Sequence, residues 1–328
     1  MTMAPKQASR RRFVRRLAKA GLLAAATGFA GWRFHDPHGP TPQQRQADAG
    51  PLPAFDLNDG GPALAVARGA DRSRTLPAVV DALGGMARFV RPGDRVVLKV
   101  NAAFAAPASL SATTHPEMVK AVTELCFSAG AGAVVVTDNP INDPGTCFEL
   151  SGIANAASKA GAQVVLPAAE RFAPVSLPGG RLIQNWPALT GPLAQADRLI
   201  GLAPVKDHHR SGASMTMKNW YGLLGGRRNI FHQDIHSIIT ELALAVRPTL
   251  VILDGTTTMI SNGPTGGSLS DLRATHTVVA GTDQVAVDTW GARLLERQVN
   301  DLPYLEKAAA AGAGTTDVEA LSPVVVSV

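Results

Sequence analysis

Arg95-Val96-Val97-Leu98-Lys99-Val100-Asn101, then Thr114-His115-Pro116 opening a periodic apolar run to Ser128, then Gly130 and Ala133-Val134-Val135-Val136-Thr137, form the stretch that decides the fold. Short runs rich in Val and Leu, bounded by turn residues, read as buried strands. Pro116 sits where a first-turn proline is tolerated, and Gly130 stands just past the helix end. Strand, helix and strand in this order make a βαβ unit, and hence parallel pairing. The same alternation extends outward. It predicts strands at Ala63–Ala67, Arg95–Val100, Ala133–Thr137, Gln163–Leu166, Arg198–Leu202, Thr249–Leu253 and His276–Ala280. The helices between them are expected at Leu76–Phe89, Pro116–Ser128, Cys147–Ala160, Ile235–Val246 and Gln284–Arg297. The fold class is therefore α/β, a mostly parallel sheet built from βαβ units. The segment 171–192, rich in Gly, Pro and polar residues and without a period, marks a candidate junction between two subdomains.

Ahead of this domain, Ser9-Arg10-Arg11-Arg12-Phe13-Val14-Arg15 carries the pattern of a twin-arginine (Tat) signal peptide. The uncharged run Ala20–Trp32 has 13 residues, short of the roughly 20 that span a bilayer. Small residues at Gly28-Phe29-Ala30 and at Ala47-Asp48-Ala49 offer two cleavage points. Residues 1–49 thus read as signal and linker, and 50–328 as the exported α/β domain. The expected partner is the Tat translocase, and the expected location is the periplasm, with a tether to the inner membrane if the signal is not cut. The leader holds nine Lys or Arg against two Asp, which leaves 22 basic and 24 acidic residues in 50–328. The basic pI of about 9.5 belongs to the address, and nucleic-acid binding loses its support. Only Cys126 and Cys147 are present, too few for a four-thiolate iron–sulfur cluster held by this chain alone.

Polar groups fit for chemistry concentrate in Lys206-Asp207-His208-His209-Arg210, Lys218-Asn219-Trp220-Tyr221-Gly222, and His232 with His236. Half of the eight histidines fall between 208 and 236, beside two of only eight lysines. The first group follows a predicted strand, where α/β sheets place ligands. Ammonium groups and imidazoles converging there suit a carboxylate or phosphate, and a desolvated lysine can lose its proton and serve as a base. Lys206, His208, Lys218 and Asp254 are the candidate catalytic residues. His232 and His236, four apart, have a spacing that binds divalent metal, with His232 the stronger site residue and His236 open to a packing role. His232 and His208 are the candidate metal ligands, and Gln233 after the first histidine disfavours peptidase chemistry. Lys99 and Asn101 share one face at a strand end, and with Asn219 and Gly263 are the candidate cofactor-binding residues. Thr114 or His115 stands ready either to cap the next helix or to help hold an anion at its N-terminus. Asp254-Gly255 ends another predicted strand, and Asp283 is expected to be the N-cap of the last helix.

Taken in order, Lys99-Val100-Asn101, Thr114-His115-Pro116, Lys206-Asp207-His208, Lys218-Asn219-Trp220-Tyr221-Gly222, His232, Asp254-Gly255, Gly263-Pro264 and the Asp283 to Asp288 stretch resemble the domain of unknown function 362 family over about residues 63–297. The resemblance implies a redox setting, since relatives are often iron–sulfur associated. This chain departs from that pattern in lacking ferredoxin cysteines.

These readings leave three functions open. The chain is an enzyme acting on an anionic small molecule, or a non-catalytic protein that holds a metal or anionic cofactor for a redox partner, or a structural envelope protein. Either a divalent metal or an organic anion is the expected cargo of the Lys/His/Asp pocket.

Overall fold

The computed structural model describes residues 13, 15–21, 27, 49–57 and 59–328. Arg10, Arg11 and Arg12, the first cleavage point and most of the second lie outside the described residues. The chain divides into two compact units, residues 1–48 and Ala49–Val328, and the sheet and its covering helices belong to the second. Among the described residues no helix is long and apolar enough to cross a membrane.

A mixed, mostly parallel sheet forms the centre of that unit. Its strands are β1 (Leu64–Arg68), β2 (Arg95–Lys99), β3 (Ala133–Thr137), β4 (Gln163–Val165), β7 (Arg198–His208), β9 (Leu250–Met259), β10 (Leu272–Gly281) and β11 (Val324–Ser327), in the order β11-β1-β10-β9-β7-β2-β3-β4. β8 (Gly212–Ser214) folds back on the end of β7. The pairs from β9 through β7, β2 and β3 to β4 are parallel, while β10 runs antiparallel to both β9 and β1. Strand residues alternate between two cores. Val97, Val135, Leu199 and Val251 point to one, and Val96, Leu98, Val134, Ile200 and Ile252 to the other. A sheet buried on both faces explains why its strands read as unbroken apolar runs.

Helices cover each face. α1 (Arg72–Ala82), α2 (Met86–Phe89), α3 (Pro116–Ser128), α4 (Pro144–Leu150) and α5 (Ile153–Lys159) supply the second core. α7 (Ile235–Ala245), α8 (Gln284–Ala292) and α9 (Pro303–Ala310), with the short α6 (Thr216–Asn219), supply the first. Two helices expected to be continuous are broken. Gly84 and Gly85 (φ +104° and +80°) divide α1 from α2, and Gly152 (φ +77°) divides α4 from α5. Asp283 caps α8 as expected, its carboxylate accepting from the Val285 and Ala286 N–H groups at 2.9 Å.

The larger departures lie at strand ends. β7, expected to stop near Leu202, runs on to His208, past Pro204, because a register irregularity between Pro204 and Lys206 accommodates the proline. β9 likewise continues past Asp254 to Met259, so Asp254 sits within a strand and not at its end. Segment 171–192 holds a separate two-stranded antiparallel sheet, β5 (Phe172–Val175) with β6 (Trp186–Leu189), inside the Ala49–Val328 unit.

One carboxylate docks that segment. Glu241 on α7 accepts the N–H groups of Arg181, Leu182 and Ile183 at 2.8–2.9 Å. Glu241→Gln keeps the shape but loses the charge and puts N–H donors against N–H donors. The expected cost is about 1–3 kcal/mol. The urea midpoint should fall, and hydrogen exchange should show residues 181–183 losing protection before the central strands do.

Candidate functional site

The chain leaves β2 toward β3 on one side of the sheet and leaves β7 toward β9 on the other, although β2 and β7 are neighbours. The crossover helices lie on opposite faces, α3 in one core and α7 in the other. This is a topological switch point, and a crevice opens beyond the carboxyl ends of its strands. A cavity of about 580 Å³ lies there. Asn101 from the end of β2, Asp138 from the end of β3, and Lys206 and His208 from β7 line it, with Lys218, Tyr221, Arg228 and His232 opposite. Phe104, Ile141 and Phe172 give it apolar walls.

Lys99 lies behind the wall, fully buried, and forms an ion pair with Asp138 Oδ1 at 2.7 Å. Its ammonium also donates to Val100 O (2.6 Å), Asn219 O (2.9 Å) and Asn219 Oδ1 (3.2 Å). Burial lowers its pKa and Asp138 opposes that shift. The Asp138 carboxylate accepts in addition from the Ala102 and Asn139 N–H groups. Lys99 is therefore a structural cation, and it pairs with Asp138, the one carboxylate on the cavity wall among the described residues.

Segment 216–222 alternates anchors with cavity residues. Asp288, buried on α8, accepts from Thr216 N (2.8 Å), Thr216 Oγ1 (2.5 Å) and Met217 N (3.0 Å). Burial pushes its carboxyl up to about 7, against the pull of these bonds. Asn219 Nδ2 donates to Lys99 O and Leu202 O, so this side chain ties strands together and stays off the cavity wall. Trp220 Nε1 donates to Gln284 Oε1 at 2.6 Å, and its ring packs where Gly201 has no side chain. Lys218 and Tyr221 are left to face the cavity.

Lys218 Nζ lies 5.2 Å from the Tyr221 ring centroid and, among the described residues, makes no hydrogen bond. Burial, then the Arg228 charge, bring its pKa down to about 8. Lys206, 1% exposed, donates to Ala112 O (2.5 Å) and Asn101 Oδ1 (3.4 Å). Burial first and the Lys218 charge second bring it to about 7. Arg228, which sequence reasoning missed, is held by four backbone carbonyls, those of Tyr221, Leu224, Asn139 and Pro140. It fixes the loop around the cavity and adds positive charge.

His208 and His232 are neutral and differ in tautomer. His208 Nδ1 accepts from both Arg210 N and Ser211 N at 3.2 Å, so the ring proton sits on Nε2. Burial, then Lys218, push its pKa down to about 2. His208 is thus a hydrogen-bond donor. To ligate a metal through Nε2 it would need a proton on Nδ1, facing two N–H groups. His232 has the opposite form. Tyr221 Oη donates to Arg228 O, so His232 Nδ1–H donates to Asn229 O and Nε2 keeps its lone pair. His232 and His236 do not act together. His232 stacks over His208 with ring centroids 6.1 Å apart, and His236 stacks on Tyr304. Among the described residues no group of three or more His, Cys, Asp or Glu could hold a metal ion. Cys126 and Cys147 are both buried, and they do not form a disulfide.

Of the expected site residues, the cavity brings together Lys206, His208, Lys218, His232 and Asn101. Lys99 and Asn219 support it from behind. Gly263 presses on the Asp207 backbone, where a Cβ would come within 1.9 Å of Asp207 O, and its neighbour Pro264 reaches the cavity. Asp254 lies elsewhere, bound to Arg72 Nε at 2.7 Å. Thr114 neither caps α3 nor faces the cavity. Its hydroxyl joins Asn101 N to Leu202 O, and His115 is the cap.

The cavity lies within a stretch that matches a known family. The model of the domain of unknown function (DUF362) matches residues 96–293, most of the chain and every cavity residue from Asn101 to Pro264. The chain belongs to this family. It is similar to the thylakoid-associated protein sll1697 of Synechocystis sp., 28% identical over 262 residues, which cover 76% of this chain and 78% of that one. A crystal structure of a Thermotoga maritima protein aligns with 67% of this chain at 10% identity and a TM-score of 0.28. The chain spans 55% of that protein's length.

Gly222 tests the wall directly. A Cβ there would lie 1.9 Å from Asp138 Oδ1 and 2.7 Å from Lys99 Nζ. Gly222→Ala should force the buried ion pair apart and cost about 3 kcal/mol or more. A melting curve is the check, and unchanged stability would show that the two groups approach differently.

Proposed function

We propose that this chain binds a small organic anion in the switch-point cavity. The observation that carries the reading is Lys218, a half-buried cation on the cavity wall with no hydrogen-bond partner among the described residues. A charge so placed is costly unless it is paired. Among the described residues the one carboxylate lining the cavity is already taken by Lys99, so the missing partner comes from outside. The His208 Nε2–H and the Lys206 amine supply further donors. Phe104, Ile141 and Phe172 favour a ligand with an apolar body over a bare inorganic ion, and about 580 Å³ suits a small organic molecule. Neither a metal nor a cluster is needed for this reading, and the paired amines favour an enzyme over a carrier.

Lactate and its neutral isostere lactamide separate charge recognition from shape. Calorimetry on the full chain should detect lactate and not lactamide, and Lys218→Met should weaken lactate by about tenfold to a hundredfold. Affinity should be present below pH 8 and fall as pH rises through about 8, because Lys218 is charged only below its pKa. Equal binding of lactate and lactamide, or an unchanged Lys218→Met, would sink the proposal.

The same reading places the protein in the periplasm, delivered by the twin-arginine exporter, on the strength of Arg10 and Arg11 and the short uncharged run after them. Replacing both arginines by lysine should leave the protein in the cytoplasmic fraction. Undiminished periplasmic protein in that variant would remove the assignment.

A further inference from the structure

Resting on the anion-binding reading above, we propose that Lys206 is a covalent residue, capturing the carbonyl carbon of a small oxo-acid anion as an imine while Lys218 holds its carboxylate.

The count of hydrogen-bond partners around each lysine separates their roles. An ammonium has three N–H donors and no lone pair, whereas a neutral amine has two N–H donors and one lone pair. Lys99 Nζ meets three neutral acceptor atoms and a carboxylate, as an ammonium requires. Lys206 Nζ meets two acceptors, Ala112 O and Asn101 Oδ1, and among the described residues it has no salt bridge. Those two acceptors consume the donors of a neutral amine and leave its lone pair for the cavity that Lys206 lines. The Phe104 ring, 5.2 Å from Nζ, keeps that side apolar. Burial and the Lys218 charge act in the same direction, bringing Lys206 to about 7. A lysine desolvated beside a second cation is an activated nucleophile toward carbonyl groups. The two lysines divide the work, since Lys218 keeps its proton near neutrality and, among the described residues, has the Tyr221 ring against it but no hydrogen-bond partner.

The chemistry is balanced within the cavity. The Lys206 lone pair forms a C–N bond to the carbonyl carbon, and the carbonyl π pair moves to oxygen. A proton lost from nitrogen passes to that oxygen, giving a carbinolamine. The nitrogen lone pair then expels the hydroxyl, which leaves as water with a second proton from nitrogen, and a C=N bond remains. One amine and one carbonyl become one imine and one water, with no oxidant or reductant.

Borohydride trapping of the full-length wild-type chain with pyruvate, followed by peptide mass mapping, tests this. The expected result is one reduced adduct, on Lys206, that saturates with pyruvate, is competed by lactate and does not form when lactate replaces pyruvate. Its rate of formation should rise as pH passes upward through about 7. Lys206→Arg should abolish it, and because the mapping is done on wild type the outcome does not depend on that variant folding. If lactate binds but pyruvate leaves no adduct on Lys206, the inference fails and the anion reading stands, with Lys206 at most a general base. Adducts spread over exposed lysines such as Lys120 and Lys159 and indifferent to lactate would also overturn it. If neither lactate binding nor trapping is seen, both proposals fall.

Discussion

The buried ion pair between Lys99 and Asp138 sets the terms for everything around it. A pair this deep adds little net stability, but removing either partner typically costs about 3–5 kcal/mol because the other charge is stranded. Its consequence here is electrostatic accounting. Asp138 ends β3 and lines the cavity, and Lys99 ends β2 and does not, so the pair draws the cavity's carboxylate backward into the wall. Lys206, Lys218 and Arg228 remain in front and, among the described residues, form no salt bridge, although the Asp138 charge still acts on Lys206 and Arg228. Gly222 belongs to the same constraint, since any side chain there would occupy the space of the Asp138 oxygen.

Topology explains why these groups meet. β2 and β7 are far apart in sequence and adjacent in the sheet, and their continuations part in opposite directions. Backbone beyond their ends has no partner strand to pair with, which opens a crevice. The segment after β8 fills its far side, and four separate anchors, on Asp288, Gln284, Lys99 and Leu202, hold it. Lys218 is thereby aimed from a rigid support, although α6 has only four residues and no helical stability of its own. A site fixed in this way holds several cations around one cavity without collapsing onto itself.

The βαβ core is legible in the sequence because a strand buried on both faces has few substitutes for Val, Ile and Leu. The β2, α3 and β3 limits at 95, 116, 128, 133 and 137 come directly from that pattern and its Pro and Gly punctuation. Where polar residues enter a strand, the pattern fails. Pro204 and the charged run after it hide the second half of β7, and Asp254 reads as a strand end because Gly255 and three threonines come after it. In the site, Lys206, His208, Lys218 and His232 stand out by their clustering. Asp138 escapes that criterion although it comes after the Val-rich β3 just as Asn101 comes after β2, and the carboxyl-end rule applied there would name it. Arg228 carries no such signal. Its role depends on four carbonyls brought together only by the fold.

Residue type alone does not say what a buried lysine does, and this chain shows why. Lys99 and Lys206 are both almost fully buried, both lie at the carboxyl ends of adjacent parallel strands, and burial lowers the pKa of both. The difference lies in what the neighbouring backbone and side chains offer. Around Lys99 the acceptors outnumber the donors of an ammonium, so the proton is held by geometry. Around Lys206 they equal the donors of an amine, and the Lys218 charge acts against a further proton. Two lysines with the same burial thus differ in how firmly the proton is held, one as part of the wall and the other as the group the wall presents. The same count assigns His208 as a donor and His232 as an acceptor, since two N–H groups meet one ring and a carbonyl meets the other. Satisfying every buried polar group first, and only then asking which lone pairs and N–H groups are left over, turns a cluster of basic residues into a site with direction.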